Sequence, residues 1–274
     1  MDNFKFSLIL CTYARDNPEH LTQCLESISS QTVMPDELVI VKDGSLTNEL
    51  ETVLQSFRFQ NIINTISLKR NMTLGIARAA GVEAAAHEWL ALMDSDDVCL
   101  PDRFEKQIAM LKVNQGLDII GGQIEEYYDI PGQLLAIKRV PVMHKEILAY
   151  AKIRNPFNAM TVMFKKELAK KAGNFRYFPG FEDYDLWVRM LKNGAICQNS
   201  PEVLVQARVG NGMYARRSGL KYVKQEWRMQ RQLQKLHIIN TSQFIVNLLK
   251  RTPVRLLPKR LHEKIYLSFL RSKI

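Results

Sequence analysis

Short blocks of consecutive apolar residues punctuate the first hundred positions of this 274-residue chain. Phe6-Ser7-Leu8-Ile9-Leu10, Glu37-Leu38-Val39-Ile40-Val41 and Trp89-Leu90-Ala91-Leu92-Met93 are such blocks. Apolar runs of this length predict buried strands. Between them the period lengthens. Residues 18–31 place Leu21, Cys24, Leu25 and Ile28 on one helical face, with Pro18 in the first turn, where its missing N–H costs nothing. Residues 47–58 predict a second helix, 61–68 a short strand, the Ala-rich stretch 73–87 a third helix and 101–113 a fourth. Strand–helix alternation of this kind implies an α/β domain with a mostly parallel sheet.

The middle of the chain is less regular. Residues 118–128 contain a strand with Gly121-Gly122, a place where backbone is expected to approach a ligand closely. Residues 158–164 predict a strand and 165–172 a helix. Phe178-Pro179-Gly180-Phe181 predicts a turn, and a further helix opens at Glu182 and runs to about Lys192. Beyond residue 212 the character changes. Residues 218–237 are polar, basic and helical in pattern. Residues 244–251, 254–261 and 265–271 then alternate apolar and basic positions in short amphipathic pieces. That is the pattern of a segment lying on a membrane surface, or of a helical appendage with a solvated basic face. The expected organisation is one domain over 1–215 and a basic helical extension over 216–274.

Charge sharpens this division. The chain carries 38 Lys and Arg against 28 Asp and Glu. From Arg208 onward there are 16 basic residues and two acids, a net of +14, which leaves −4 for residues 1–207. A slightly acidic body with a strongly basic tail suggests contact with a polyanion. Cys11, Cys24, Cys99 and Cys197 show neither paired nor metal-ligand spacing, which fits a reduced cytosolic protein. The first residues enter a strand at once, without a secretory leader pattern. No apolar run approaches the roughly 18 residues needed to cross a bilayer.

The candidate chemistry sits at predicted strand ends. Asp94, Asp96 and Asp97 follow the third apolar block directly, and ionised carboxylates are costly to bury unless paired or metal-bound. Such a cluster marks either a solvated acidic turn or a hard-cation site, which Mg²⁺ and Mn²⁺ share with substrate phosphates. Cys11-Thr12-Tyr13 and Asp43-Gly44-Ser45 close the other two blocks. In parallel sheets, ligands bind beyond the carboxyl ends of the strands, so three polar strand ends point to one site. Glu182, Asp183 and Asp185 open a predicted helix, where acids either cap the N-terminus or serve the same site.

These pieces together resemble the family-2 glycosyltransferases, which have the GT-A fold, a Rossmann-like α/β/α sandwich. The resemblance is carried by residues 7–13, 39–45, 71–81, 92–97 with Pro101-Asp102-Arg103, and 180–189, and it covers roughly residues 5–215. Within the family, 155–164 and 208–217 are similar to bacterial enzymes that assemble capsule, exopolysaccharide or O-antigen units. The resemblance implies that Thr12, Tyr13 and Arg15 bind the nucleotide, with Thr12 and Tyr13 lining a uracil pocket. Asp43 would accept from the uracil ring N–H, although Lys42 stands where the family often has another acid. Arg78 would approach the nucleotide, Asp94 with Ser95 would reach the ribose, and Asp96 would coordinate Mn²⁺ or Mg²⁺ between the two phosphates. Asp183 would be the general base, with Glu182 beside the acceptor and Asp185 as a rival base. Arg216 and Arg217 would clamp a diphosphate, or belong to the basic tail. Trp187 is expected in the core.

The resemblance thus implies a metal-dependent inverting transferase, moving a hexose or N-acetylhexosamine from a UDP-sugar to a saccharide on a polyprenyl diphosphate. Likeness to bacterial β-galactosyltransferases acting on lipid-linked GlcNAc makes galactose the first expected sugar. The basic tail would hold the protein on the cytoplasmic, inner face of the bacterial inner membrane. A sugar-phosphate nucleotidyltransferase is a rival on a related sheet, but residues 12–16 lack the glycines of its phosphate loop. A non-catalytic nucleic-acid-binding protein is a third reading, and nothing in residues 1–207 supports it.

Overall fold

The computed structural model describes residues 4–210 and 218–256. The apolar blocks form β1 (Phe6–Thr12), β2 (Glu37–Lys42), β3 (Ile63–Ser67) and β4 (Trp89–Asp94). They are parallel and adjacent in the order β3-β2-β1-β4, so Thr12, Lys42, Ser67 and Asp94 end at one edge of the sheet. Side chains alternate across these strands. Ile9, Val39, Val41 and Leu92 enter one core, and Leu8, Leu10, Leu38 and Ile40 the other. Both faces are therefore covered, which is why these strands carry apolar runs rather than alternation.

Helices α1 (Pro18–Ser29), α2 (Asn48–Ser56) and α4 (Arg103–Val113) cover one face. Helices α3 (Leu74–Ala84), α6 (Lys166–Lys171) and α7 (Glu182–Lys192) cover the other. The starts of α1 and α2 are fixed by side-chain caps: Asn17 accepts from the N–H of Glu19 at 2.8 Å and Thr47 from that of Leu50 at 3.4 Å.

The sheet continues past β4 through the expected strand within 118–128 and through elements the periodicity did not reveal. Residues 158–164 are not one strand. A single 3₁₀ turn, Ala159–Thr161, leads into β8 (Met163–Lys165), which runs antiparallel between β4 and β6 (Ile119–Tyr127). The longest strand, β9 (Cys197–Arg208), lies parallel to β6 and antiparallel to the two-residue β5 (Val98–Cys99). Its pairing register shifts where Gly121 opposes Asn199 but Gln123 opposes Val203, so Pro201 falls in a bulge and breaks the strand signal. A short β7 (Leu134–Lys138) pairs with β6, and α5 is the helix His144–Tyr150. Gly121 and Gly122 serve this packing. A Cβ would come within 2.4 Å of Asn199 Oδ1 at the first and of Leu204 Cδ1 at the second.

Residues 219–256 form two more helices, α8 (Gly219–Lys235) and α9 (Thr241–Leu256). Tyr222, Met229 and Leu233 of α8 join the same core as Trp187, whose ring is buried among Phe157, Phe164 and Phe175. Glu226 is fully buried on α8 and faces Arg251 and Arg255 of α9. Asn247 of α9 donates to the carbonyl of Lys152 and to Gln230 Oε1, both at 2.9 Å. This stretch of the basic extension is thus part of the fold. No helix among the described residues is long and apolar enough to cross a membrane. Replacing Glu226 by Ala would strand Arg251 beside α8 without its partner. We expect a loss of about 3 kcal/mol, the scale for breaking one side of a buried pair. Urea denaturation measures it, and an unchanged midpoint would show that α8 and α9 contribute little to the fold.

Candidate active site

The site is built at the carboxyl edge of the parallel strands. The ends of β1 and β2 are tied by the N–H of Asp43, which donates to the carbonyl of Thr12 at 2.8 Å. Gly44 turns the chain there at φ +91°, and a Cβ would sit 2.8 Å from the amide nitrogen of Asn71, so the turn and the 70–73 loop meet backbone to backbone. The Asp43 carboxylate fastens that loop. Its Oδ1 accepts from the N–H of Met72 at 2.6 Å and its Oδ2 from that of Thr73 at 3.1 Å. Thr73 is held at φ +86°, a region β-branched residues rarely occupy, immediately before α3.

Helix α3 then carries Arg78 to the end of β4. The guanidinium is almost wholly buried and its Nη2 lies 2.6 Å from Asp94 Oδ1. Burial alone would weaken its charge, but Asp94, Glu182 and Asp183 hold it protonated well above the ordinary range. Close packing brings in α7. A Cβ on Gly75 would meet the carbonyl of Arg176 at 2.3 Å and Glu182 Cβ at 3.1 Å, so only glycine lets the start of α3 sit against the start of α7.

The acidic turn after β4 splits into distinct environments. Asp94 is paired with Arg78. Ser95 is buried and its hydroxyl donates to Asp16 Oδ2 at 2.8 Å. Asp97 is buried. One of its oxygens accepts from the N–H of Arg208 at 2.8 Å and the other has no hydrogen-bond partner among the described residues. Desolvation, then Asp96 and Asp94, push its carboxyl well above the usual range. Asp96 lies outward, exposed, with no ion pair among the described residues. The protein around it still desolvates the carboxyl, and with Asp94 and Asp16 nearby its pKa is pushed up to about 6.

Helix α7 presents its acids in two directions. Asp183 is partly exposed. Its Oδ2 accepts from Asn155 Nδ2 at 2.7 Å and its Oδ1 from the N–H of Tyr184 at 2.8 Å. Glu182 is raised, first by burial and then by Asp183, against the pull of Arg78. Asp185 is fully buried and takes Arg176 Nε at 2.7 Å, Arg176 Nη2 at 2.6 Å and Arg189 Nη2 at 2.8 Å. That geometry removes it as a rival base, because its oxygens are saturated by guanidinium in the interior.

Of the expected site residues, Asp94, Arg78, Glu182 and Asp183 thus form one electrostatic cluster, and Asp96 adjoins it through Asp94. Thr12 is buried, Tyr13 is exposed beside it, and Arg15 lies in the exposed turn that follows. Arg216 and Arg217 lie outside the described residues. Composition and spacing missed Asn155, which orients Asp183, and Asp16, which holds Ser95. They also missed Arg208, whose Nη2 reaches Gln23 Oε1 at 2.6 Å and whose amide holds Asp97. Asn155 lies in a segment that carried the family likeness, but nothing in the sequence pattern singled it out.

A buried arginine ringed by strand-end and helix-end carboxylates thus sits at the carboxyl edge of an α/β/α sandwich of the GT-A kind. The family model described as glycosyl transferase family 2 matches residues 7–172, and the chain belongs to that family. It is 36% identical over 270 residues to an Escherichia coli UDP-Gal:alpha-D-GlcNAc-diphosphoundecaprenol beta-1,3-galactosyltransferase, covering 98% of both chains. It is 35% identical over 263 residues to the Erwinia amylovora amylovoran biosynthesis glycosyltransferase AmsE, covering 95% of this chain and 97% of that one. Among solved structures, residues 1–349 of TarS from S. aureus, in complex with UDP-GlcNAc, share the fold. The TM-score is 0.67 and the identity 18%, over 92% of this chain and 72% of that one. A mannosyltransferase from Pyrobaculum calidifontis, in complex with GDP-Man and Mn2+, matches with TM-score 0.63 and 15% identity, over 97% and 70% of the two chains.

The two acids of α7 differ in what they support. Asp185→Asn is expected to lower stability by about 3 kcal/mol by unpairing Arg189 and Arg176. Asp183→Asn should cost at most about 1 kcal/mol, the scale of a charge at a helix N-terminus. Thermal unfolding of the two variants side by side would contradict the assignment if their order were reversed.

Proposed function

We propose that the protein transfers a sugar, galactose first among the candidates, from a UDP-sugar to a saccharide carried on a polyprenyl diphosphate, with inversion at the anomeric carbon. The observation that carries this reading is Asp183, oriented by Asn155 at the mouth of α7 and facing the Arg78–Asp94 pair. The E. coli relative, matched over nearly its whole length, supports the donor and acceptor classes. The Erwinia relative supports a place in surface polysaccharide synthesis.

In this reading the acceptor hydroxyl oxygen attacks the anomeric carbon and its proton passes to Asp183. The new C–O bond forms as the bond from that carbon to the diphosphate oxygen breaks, and UDP leaves. Attack opposite the leaving group gives a single displacement. Asn155 and the N–H of Tyr184 hold the Asp183 carboxylate in place and leave lone pairs on both oxygens. Thr12, Tyr13 and Asp43 line the nucleotide side, and Arg78 fixes Asp94 toward the ribose. The negative charge of Asp94 and Asp16 around Asp96, which has no ion pair among the described residues, suits a divalent cation. No group of three or more potential protein ligands occurs among those residues, so donor phosphates would complete the coordination. When bound, Mn²⁺ or Mg²⁺ neutralises the charge growing on the departing diphosphate.

A peripheral seat on the cytoplasmic face of the inner membrane belongs to the same reading. It is supported by the basic excess from Arg208 onward and by exposed Ile245, Val246 and Leu249 on α9. Co-sedimentation with anionic vesicles at low salt checks it, and equal recovery with neutral vesicles would remove it.

A panel of UDP-sugars with Mn²⁺ and a synthetic diphosphate-lipid acceptor tests the chemistry. Asp183→Asn should lower kcat by about 10² to 10⁴ with donor binding retained, the range for a lost general base. Asp96→Ala should weaken metal and donor binding. In the wild type, metal affinity should be level above pH about 6 and fall below it, because Asp96 then holds a proton that the cation must displace. Wild-type turnover by Asp183→Asn would refute the base.

A further inference from the structure

A groove of about 340 Å³ runs between α8 and the turn at 177–179, outside the strand-end site. Its lining has an unusual make-up. Tyr177 is 62% exposed and Trp227 48%, large aromatic surfaces left open to solvent. Arg228, Arg231 and Lys235 supply three cations along one face of α8, and no carboxylate lines the groove among the described residues. The Arg231 guanidinium lies 5.8 Å from the Trp227 ring centre and uses Nη1 to donate to Gln234 Oε1 at 2.7 Å, leaving other N–H groups free. The acid of α8, Glu226, points the other way, into the core.

Position gives the groove its meaning. Its outer wall, 177–179, continues through Gly180 and Phe181 directly into Glu182 and Asp183. Gly180 turns at φ +79°, and a Cβ there would lie 3.3 Å from Gln225 Oε1, so the head of the groove abuts the approach to the proposed base. From Gln225 to Lys235 the wall extends roughly 15 Å at the helical rise. Gly75 and the start of α3 lie against the same 176–182 segment, at Arg176 and Glu182.

We propose that this groove binds the acceptor beyond its reacting sugar: the diphosphate on Arg228, Arg231 and Lys235, and a sugar face on Trp227 and Tyr177. The proposal rests on the acceptor class given above. Guanidinium forks match phosphate oxygens in pairs, and aromatic rings take the apolar faces of sugars at little entropic cost. Three cations without an acid suit a diphosphate, whereas a neutral glycan would leave them unpaired. A free anionic lipid headgroup has the same charge and is the source the test must separate.

The test compares two acceptors. One is an N-acetylhexosamine on a synthetic alkyl diphosphate, and the other is the same sugar on an alkyl chain without phosphate. Wild type should favour the first. The double variant Arg228→Ala/Arg231→Ala should raise KM for it at least tenfold and lower the ratio of kcat/KM between the two acceptors by a similar factor, with donor KM unchanged. Trp227→Ala should raise KM for both acceptors. An unchanged ratio overturns the proposal. So does a double variant that keeps the ratio but loses anionic vesicle binding, since the groove would then hold lipid headgroups. If wild type transfers to neither acceptor, the functional reading fails. Calorimetric binding of the alkyl-diphosphate sugar, lost in the double variant, would still support the groove, and equal binding would overturn it.

Discussion

The site depends on one buried positive charge. Arg78 lies in the interior with its guanidinium against Asp94, and two further acids, Glu182 and Asp183, surround it. Removing a charge from water is costly unless partners compensate, so α3, β4 and α7 must all be in place before the arrangement is favourable. Each is brought there by a separate device. Asp43 fastens the loop ahead of α3, Gly75 permits contact with the start of α7, and the parallel register delivers Asp94 to the same edge as Thr12 and Lys42. One cation among several carboxylates leaves the region with excess negative charge. A bound dication and a diphosphate with its own counter-charges would alter that balance most.

Charge is treated differently a few ångströms away. Asp183 and Asp185 are two residues apart, which on a helix turns them about 200° from one another. The first points outward to Asn155. The second points inward and is saturated by Arg176 and Arg189. Glu226 repeats the inward pattern with Arg251 and Arg255. Asp185 and Glu226 are therefore neutralised by arginine, whereas Asp96 at the strand edge has no ion pair among the described residues. That contrast, more than the number of acids, is what would separate a working carboxylate from a structural one in the proposed reading.

Much of the first half was legible because its physics is local. Strands buried on both faces must be apolar throughout, and a helical face such as Leu21, Cys24, Leu25 and Ile28 repeats within a few turns. The strand-end acids were legible for the same reason. What escaped notice depends on contacts remote in sequence. β9 carries Pro201 and buried Asn199 because a bulge and the carbonyls of Pro141 and Pro156 accommodate them. Gly121-Gly122 resembled a ligand approach, and the neighbours that forbid a side chain are Asn199 and Leu204, about eighty positions away. Asn155 and Asp16 reach Asp183 and Ser95, partners 28 and 79 residues distant.

The basic end of the chain changes meaning in three dimensions. Its net charge suggested a tail spread on an anionic surface, but its cations divide by partner. Arg208, Arg251 and Arg255 are engaged with the acidic turn and with Glu226, so they belong to the fold. Arg228, Arg231 and Lys235 stand apart on the outer face of α8. Helix α9, itself tied to Gln230 of α8 through Asn247, reaches the segment before Asn155, which α7 also touches through Tyr184. Tyr184 donates to the carbonyl of Ala151 at 2.5 Å, and Asn247 to that of Lys152 at 2.9 Å, which fixes the segment leading to Asn155. An acceptor drawn onto α8 would therefore bear on a helix pair that already steadies the residue holding Asp183. In the proposed reading, acceptor binding and base orientation would share one mechanical support.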